Sequence, residues 1–385
     1  MKTSICILLA LASIGSATEP KFRTQEIDGK IGVGYGLQLA DMNGDKKTDI
    51  ILCDKDKVVW YENPSWKMHQ VSGHLTQRDH VCVTARDLNS DGKAELAVGA
   101  QWNIGETSNE KTSGSIFYLN PTANREGNWA PIRLPHEPTT HRMHWMKAGK
   151  GKFDLIVKPL HGRGNKGGKG EGIKVYAYRM PKNPAGEWKR TLVSNFMHDS
   201  HNFHPIDWNG DGREEFLQAG LEGVYWFGRD RNDKWKHMRF TSNYAGEVRD
   251  GRTVTGKRFI TTIEPKHGST VVVYLSTTSL SWQRWVLDES LKDGHALATG
   301  DFLGTGGDQI VAGWRGMTTR GVPGLKLYVP QNAQYSKWKT YQLSGKETAV
   351  EDIKAGDLNG DGKPEIIVAC RQTHNLRILW NESKK

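Results

Sequence analysis

The sequence predicts an all-β fold: a single seven-bladed β-propeller over residues 18–385, with calcium-binding loops and a ring closed by the N-terminal strand. Three observations predict it. Strand-like runs recur in one fixed order, an aromatic motif closes each unit, and almost no stretch carries a helical period. The motif is an aromatic residue followed five positions later by an apolar one. It appears at Trp66–Val71, Trp129–Leu134, Trp188–Val193, Trp235–Phe240, Trp282–Leu287 and Trp338–Leu343, with a further copy at Phe22–Ile27. The copies stand roughly 45–60 residues apart, the span of a four-stranded blade with its loops.

Each unit opens on an apolar stretch that leads into an acidic loop. A β-run follows, such as "DIILC", "ELAVGA", "EFLQAG" or "EIIVAC", and then a second, such as "VVWYEN", "GSIFYLN" or "LRILWN". The aromatic motif is the fourth strand. The last unit ends at "LRILWNESKK" without that motif, whereas the chain near Phe22 begins with one. The N-terminal strand is therefore expected to complete the last blade and remove the exposed edges of an open ring. Two tandem β-sandwiches would not repeat one order seven times.

Residues 1–17 read as a signal peptide, with Lys2, a short apolar run and the small residues Gly15 and Ala17 before a cleavage site, so the protein is expected to be secreted or periplasmic. No apolar stretch reaches membrane-spanning length. Cys53, Cys82 and Cys370 remain, an odd set in apolar runs that reads as buried thiols and not as a disulfide framework. The net charge of +10 comes from scattered lysines and arginines with no helical stripe, which suits acidic polysaccharide as well as nucleic acid. A monomer with no nucleic-acid partner is expected.

Four loops carry alternate oxygen ligands with a ninth residue returning from the next strand. They are Asp41/Asn43/Asp45/Asp49, Asp87/Asn89/Asp91/Glu95, Asp207/Asn209/Asp211/Glu215 and Asp357/Asn359/Asp361/Glu365. Hard oxygens at positions one, three and five wrap one side of a cation, and glycine at position six permits the turn in three loops, with Lys46 in the other. The chain here resembles the FG-GAP/VCBS repeat family over essentially its whole mature length. That resemblance implies a propeller stapled by structural Ca²⁺ and names no activity.

Six residues before the first position of each loop, a second pattern appears. It gives His201 before Asp207, His295 before Asp301, His141 before Lys147, Tyr35 before Asp41, Tyr244 before Asp250 and Glu351 before Asp357; a step of seven gives His80. Each is expected where the chain enters an innermost strand, so the seven would ring the channel mouth, opposite the acidic loops. Loops between second and third strands return to that face with Trp102, His161, Arg163, Glu222, Glu264, His267, Trp314, Arg315, Arg371 and His374. A single histidine is as often structural as functional, but seven on one face suit proton transfer or a transition metal. Arginines and tryptophans suit sugar hydroxyls, carboxylates and rings. No G-x-S-x-G, H-E-x-x-H, phosphate loop or C-x-x-C occurs, which excludes serine hydrolase, zincin, nucleotide and dithiol chemistry of those types.

"THRMHW", "PLHGRGNKGG", "HNFHPIDWNGDG", "LEGVYWF", "EPKHG", "GHALATGDF" and "GWRG" together resemble the propeller domain of the aldos-2-ulose dehydratase family and its bacterial relatives. The resemblance implies a carbon–oxygen lyase that eliminates water or a glycosyl group from a keto-sugar or oxidised glycan. Its cupin part has no counterpart in the sequence, so its isomerase step is expected to be missing. Such an elimination needs a base, an acid and a polarised carbonyl. His141, His201 or Glu264 could serve as base or acid, with Arg142 or Arg315 orienting the substrate. His161, His267 and His295 could instead hold Zn²⁺ or another divalent metal. Tyr35, His80, Trp102, His161, Arg163, Glu222, Tyr244, Trp314, Glu351 and His374 would line the substrate site. Two readings compete: a non-catalytic calcium-stabilised propeller that binds glycan or protein, and a polysaccharide lyase acting on uronates.

Overall fold

The computed structural model describes residues 19–278, 281–317 and 321–384; the expected signal segment, residues 1–17, lies outside them. The described residues form seven four-stranded antiparallel sheets and no helix. Six sheets are built from four consecutive strands. The seventh takes Val350–Gly356, Glu365–Cys370 and Asn375–Asn381 from the end of the chain, and its outer strand is Phe22–Asp28. Phe22 pairs with Asn381 and Gln25 with Ile378, so the two ends of the chain share one sheet.

Position within the blade explains the sequence of each strand. Second strands such as Asp49–Cys53, Glu95–Ala100, Glu215–Gly220 and Glu365–Cys370 are buried at every residue, because a neighbouring blade covers each face; after an acidic first residue their sequences are therefore mainly apolar. Outer strands have one covered face. In Phe22–Asp28, Trp235–Thr241 and Ser281–Asp288 the aromatic residue, the residue three later and the last two are half-covered, while those between are exposed. That alternation is the repeated aromatic motif seen from the side.

The core is split into seven apolar clusters, each between adjacent blades. One joins Ile51 and Trp60 of the first blade to Val83, Leu96 and Phe117 of the second. Another joins Ile367 and Ile378 of the last blade to Ile50 and Val59 of the first. The first and last blades are thus packed like any other pair. Cys53, Cys82 and Cys370 are buried free thiols.

The four acidic loops fold alike, as turns in which side-chain oxygens accept backbone N–H groups of the same loop. Asp207 accepts from Gly210 (2.7 Å) and Gly212 (3.0 Å), and Asp41, Asp87 and Asp357 accept from the matching positions. At position three, Asn43 accepts from Asp45 (2.9 Å), Asn89 from Asp91 (2.8 Å), Asn209 from Asp211 (2.8 Å) and Asn359 from Asp361 (2.9 Å). At position five, Asp45 accepts from Lys47, Asp91 from Lys93, Asp211 from Arg213 and Asp361 from Lys363, all at 2.8–2.9 Å. The ninth residue, Glu215, accepts the N–H of Trp208 at 2.8 Å. Asp49, Glu95 and Glu365 repeat this on Met42, Leu88 and Leu358. In the degenerate sixth loop the neutral Gln309 does the same for Leu303 at 2.9 Å. Bracing the turn therefore needs an oxygen at position nine but no charge.

Candidate functional site

The innermost strands run through the ring from one face to the other, and several begin with a β-bulge. The register skips at His141 in Thr140–Gly149, at His295 in Gly294–Gly300 and at Glu351 in Val350–Gly356. A bulge leaves one residue unpaired and re-aims its side chain. Here it turns His141, His295 and Glu351 toward the axis. His201 precedes its strand by two residues, next to Asn202, whose carbonyl accepts the N–H of Ala219 (3.1 Å). The six-residue spacing thus marks the same structural position in four blades.

His267 joins them from the loop after Arg258–Glu264 and has a positive φ of 54°. Gly268 makes the tight return possible, since a Cβ there would run into the carbonyl oxygen of Glu264. The Gly294 N–H then ties this loop to the sixth blade through the Gly268 carbonyl (2.9 Å).

The four imidazoles meet. Ring centroids are 4.8 Å apart for His141 and His201, 4.6 Å for His201 and His267, 4.7 Å for His201 and His295, and 4.8 Å for His267 and His295. One ring nitrogen each from His201, His267 and His295 lies within 4.8 Å of the others. Partners orient the rings. His201 Nδ1 is 2.7 Å from a Glu247 carboxylate oxygen, and His295 Nδ1 is 2.6 Å from the Glu351 carbonyl, so Nδ1 carries the proton and Nε2 keeps a lone pair in both. His267 Nε2 is buried without a hydrogen-bond partner. Arg315 holds Asp293 (3.1 Å) and Glu351 (3.1 Å) behind this group and lies 3.4 Å from His267 Nδ1.

Burial, reinforced by neighbouring histidines and arginines, keeps these rings neutral. It holds His141, His201 and His295 well below the usual imidazole range and His267 at about 2. Burial also pushes Glu247 up to about 7. Three converging neutral imidazoles, two with a fixed tautomer and one with a buried unpartnered nitrogen, fit a divalent transition metal such as zinc.

The structure changes the expected membership of this group. His161 lies beside Asp199 (3.8 Å), and His201 takes its place with His267 and His295. Tyr244 is displaced because the fifth blade's first hairpin is short: Arg252 pairs with Arg258, leaving five residues between them, whereas Ile206 and Glu215 enclose eight. Counting from Asp250 therefore falls three residues early, and Glu247 holds the equivalent position. Tyr244 instead donates to Asp199 (2.7 Å), which also takes Lys266. His80 is fully buried and accepts the N–H of Leu75 (3.1 Å); Val81 stands where the bulged residue would be. Glu264 turns outward to Tyr274, Thr262 and Arg284 and is committed there.

The expected calcium ligands at positions three and five are mostly exposed, unlike the histidines. Among the described residues, His201, His267 and His295 are the one set of three histidine, cysteine or carboxylate groups placed to share an ion. Asn43 is half-buried, and Asp45, Asn89, Asp91, Asn209, Asp211, Asn359 and Asp361 are exposed. Each spends an oxygen on a backbone N–H of its own turn. Cations also stand beside three of the aspartates: Lys47 by Asp45 (3.5 Å), Arg125 by Asp91 (4.0 Å) and Lys363 by Asp361 (3.5 Å). Asn89 and Asn209 turn their amide nitrogens to Asp91 (3.3 Å) and Asp211 (3.2 Å). Asn209 Nδ2 also lies 3.3 Å from Glu215, and the Nδ2 atoms of Asn89 and Asn359 lie 3.5 Å from Glu95 and Glu365, so positions three and nine face each other across the turn.

Other expected residues are near the histidine face with assigned partners. Trp102 lies against His141 at 4.9 Å, and Arg142 Nη1 is 3.4 Å from His141 Nε2. Tyr35 donates to Asp79 (2.9 Å) beneath Arg371. Arg163 pairs with Glu110 and Glu137, Glu222 with His198, and His374 with the Gly32 carbonyl. Trp314 is buried and donates to the Val322 carbonyl (2.7 Å). The mouth is more closed than expected: His141, His201 and His295 are at most 5% exposed, and His267 has the most accessible side chain, at 30%. Sequence reasoning missed Glu247, Asp293, Asp199 and Lys266. Only Glu247 had a signal, its position at the start of an innermost strand.

A family model described as an FG-GAP-like repeat matches residues 41–98. No curated protein matches the sequence. Among solved structures, the chain is similar to BBS1N from its complex with ARL6DN (14% identity, TM-score 0.54, 97% of this chain and 98% of that one). It is also similar to a streptogramin B lyase (13% identity, TM-score 0.56, covering 96% and 100%). A lectin of Agrocybe aegerita that recognises non-reducing terminal N-acetylglucosamine aligns at 14% identity with a TM-score of 0.48, over 86% and 82%. At these identities the likeness is one of fold.

Proposed function

We propose that this propeller is a carbohydrate-active lyase, acting by elimination on a keto-sugar or oxidised glycan, with a divalent transition metal held by His201, His267 and His295. The observation that carries this reading is the convergence of three neutral imidazole nitrogens within 4.8 Å, one of them buried and unpartnered. When bound, such a metal supplies Lewis acidity toward a carbonyl or hydroxyl oxygen. The protein's own groups supply the rest. Glu247 and the Glu351 carbonyl fix the tautomers of His201 and His295. His141, neutral and 4.8 Å from the His201 ring, is placed to take or return a proton. The neighbouring Arg142 would orient an electron-rich substrate oxygen.

Within this reading the acidic loops bind structural Ca²⁺. Their matched N–H networks present the same hard oxygens four times, a donor set whose chemistry fits calcium. Phe22–Asp28 closes the ring, and export and a monomeric state complete the proposal. The resemblance to the aldos-2-ulose dehydratase family supports the substrate class and nothing finer.

The test is elemental analysis of purified protein together with an ultraviolet enone assay across keto-sugars and uronate glycans. Zinc or manganese that survives dialysis, and is lost with the activity in His267→Ala, is the expected result. The low accessibility of the histidine group favours a second reading, a non-catalytic glycan- or protein-binding propeller. Metal retention without turnover of any substrate would decide for it.

A further inference from the structure

Behind the histidine group, the ring encloses an axial cavity of about 310 Å³ lined by all seven innermost strands. A site for a small molecule typically spans roughly 300–1,000 Å³. Three cations from three blades line the cavity: Arg142, Arg249 and Lys354. Asp352 is the one acidic residue among the lining groups, and it already accepts the N–H of Leu37 (2.8 Å) and of Ile353 (2.9 Å).

The cations are poorly satisfied. Lys354 Nζ stands 3.5 Å from Asp352. Arg249, 8% exposed, donates Nη1 to the carbonyl of Val248 (2.6 Å), and Arg142 spends only Nη1, on His141 and Val81. The nearest further carboxylate, Glu247, is 3.7 Å from Arg249 but is committed to His201 and Asn202. Lys354 feels both guanidinium groups, which add to burial in lowering its pKa. His144 and His204 also face the cavity and are held neutral by burial, so they add no charge. Buried charge of one sign is costly unless a counter-charge meets it.

We infer that this axial cavity binds a small oxyanion, a carboxylate- or phosphate-bearing molecule, clamped between Arg249, Lys354 and Arg142. Guanidinium forks and an ammonium match oxyanion geometry. Gln38, His144 and Pro205 also line a neighbouring open hollow of about 380 Å³ that reaches Asp87, so entry is from the acidic-loop side. The histidine group closes the other end. The site shares Arg142 with the lyase reading, but its test needs neither metal nor turnover and turns on Lys354 and Arg249, so the two fail separately.

The experiment is thermal melting and calorimetric titration of the full chain at constant ionic strength. Sodium galacturonate and inorganic phosphate are the probes, and galactose is the uncharged control. At least one anion should bind and raise the melting temperature, while galactose should do neither. Lys354→Gln and Arg249→Gln should each weaken binding by about ten- to a hundredfold. Lys354→Arg, which keeps the charge, should retain it and carries the comparison if Arg249→Gln does not fold. A preference for galacturonate identifies a carboxylated ligand, and one for phosphate a phosphorylated or inorganic one. The inference is overturned if neither anion binds, or if Lys354→Gln binds as the wild type does.

Discussion

Acid should destabilise this protein through its histidine group. His141, His201, His267 and His295 are held neutral by burial, and their folded pKa values lie below the unfolded value of about 6.5. The unfolded chain therefore binds more protons, and stability falls as pH drops below about 6.5. Between pH 7.5 and 5.5 each ring costs about 1.4 kcal/mol, or about 5 kcal/mol for four. Glu247 opposes this. Its folded pKa is raised to about 7, so protonation in the folded state returns about 2 kcal/mol over the same interval. The net loss from this group is about 3 kcal/mol, a large share of an ordinary domain stability of about 5–15 kcal/mol, and His80, His144 and His204, also lowered by burial, add to it. Urea denaturation of the metal-free protein across this pH range measures it directly. The double variant His267→Asn/His295→Asn, compared with wild type, should reduce the loss between pH 7.5 and 5.5 by about 1.4 kcal/mol for each histidine removed. A stability that is flat from pH 7.5 to 5.5, or a variant with an unchanged slope, would falsify the buried neutral group.

Three further outcomes are expected. Deleting residues 18–28 removes the outer strand paired with Asn375–Asn381, so the truncated chain should aggregate or melt far earlier than the full one in a thermal scan. Chelation of protein shown to be calcium-loaded should lower its melting temperature, because a site at a hundredfold excess of ligand over Kd contributes about 2.7 kcal/mol; Asp207→Ala should remove one loop's share, and no shift on chelation would refute the staple. Glu247→Gln should weaken zinc retention by about 10–100-fold in a competitive chelator titration, as loss of a ligand-orienting carboxylate does elsewhere, while affinity unchanged from wild type would remove Glu247 from that role.

Much of the fold was legible because it is written locally and repeatedly. Seven copies of an aromatic motif and mainly apolar second strands report which faces neighbouring blades cover, and the described residues are seven four-stranded sheets. The turn geometry of the acidic loops was legible for the same reason, since their oxygens and turn glycines lie within nine residues. How closely Asn43 and Asp45, or Asn359 and Asp361, approach a common point was not, because that depends on which N–H groups and cations each oxygen meets. The six-residue spacing worked for His141, His201, His295 and Glu351 because those hairpins keep one register, with a bulge at three of the four positions. It failed at Tyr244, where a hairpin shortened by three residues moves Glu247 into place, and at His80, where Val81 holds the position.

Only the tertiary structure could decide which histidines meet. His267 reaches the group from a different kind of loop, through a positive φ and a glycine return that hydrogen-bonds to the next blade. His161, in an equivalent loop of another blade, turns to Asp199 instead. The direction of a side chain at a loop depends on partners tens or hundreds of residues away, and no local spacing encodes it. The same holds for the axial cations: Arg142, Arg249 and Lys354 are scattered in sequence and face one cavity because the ring closes around it.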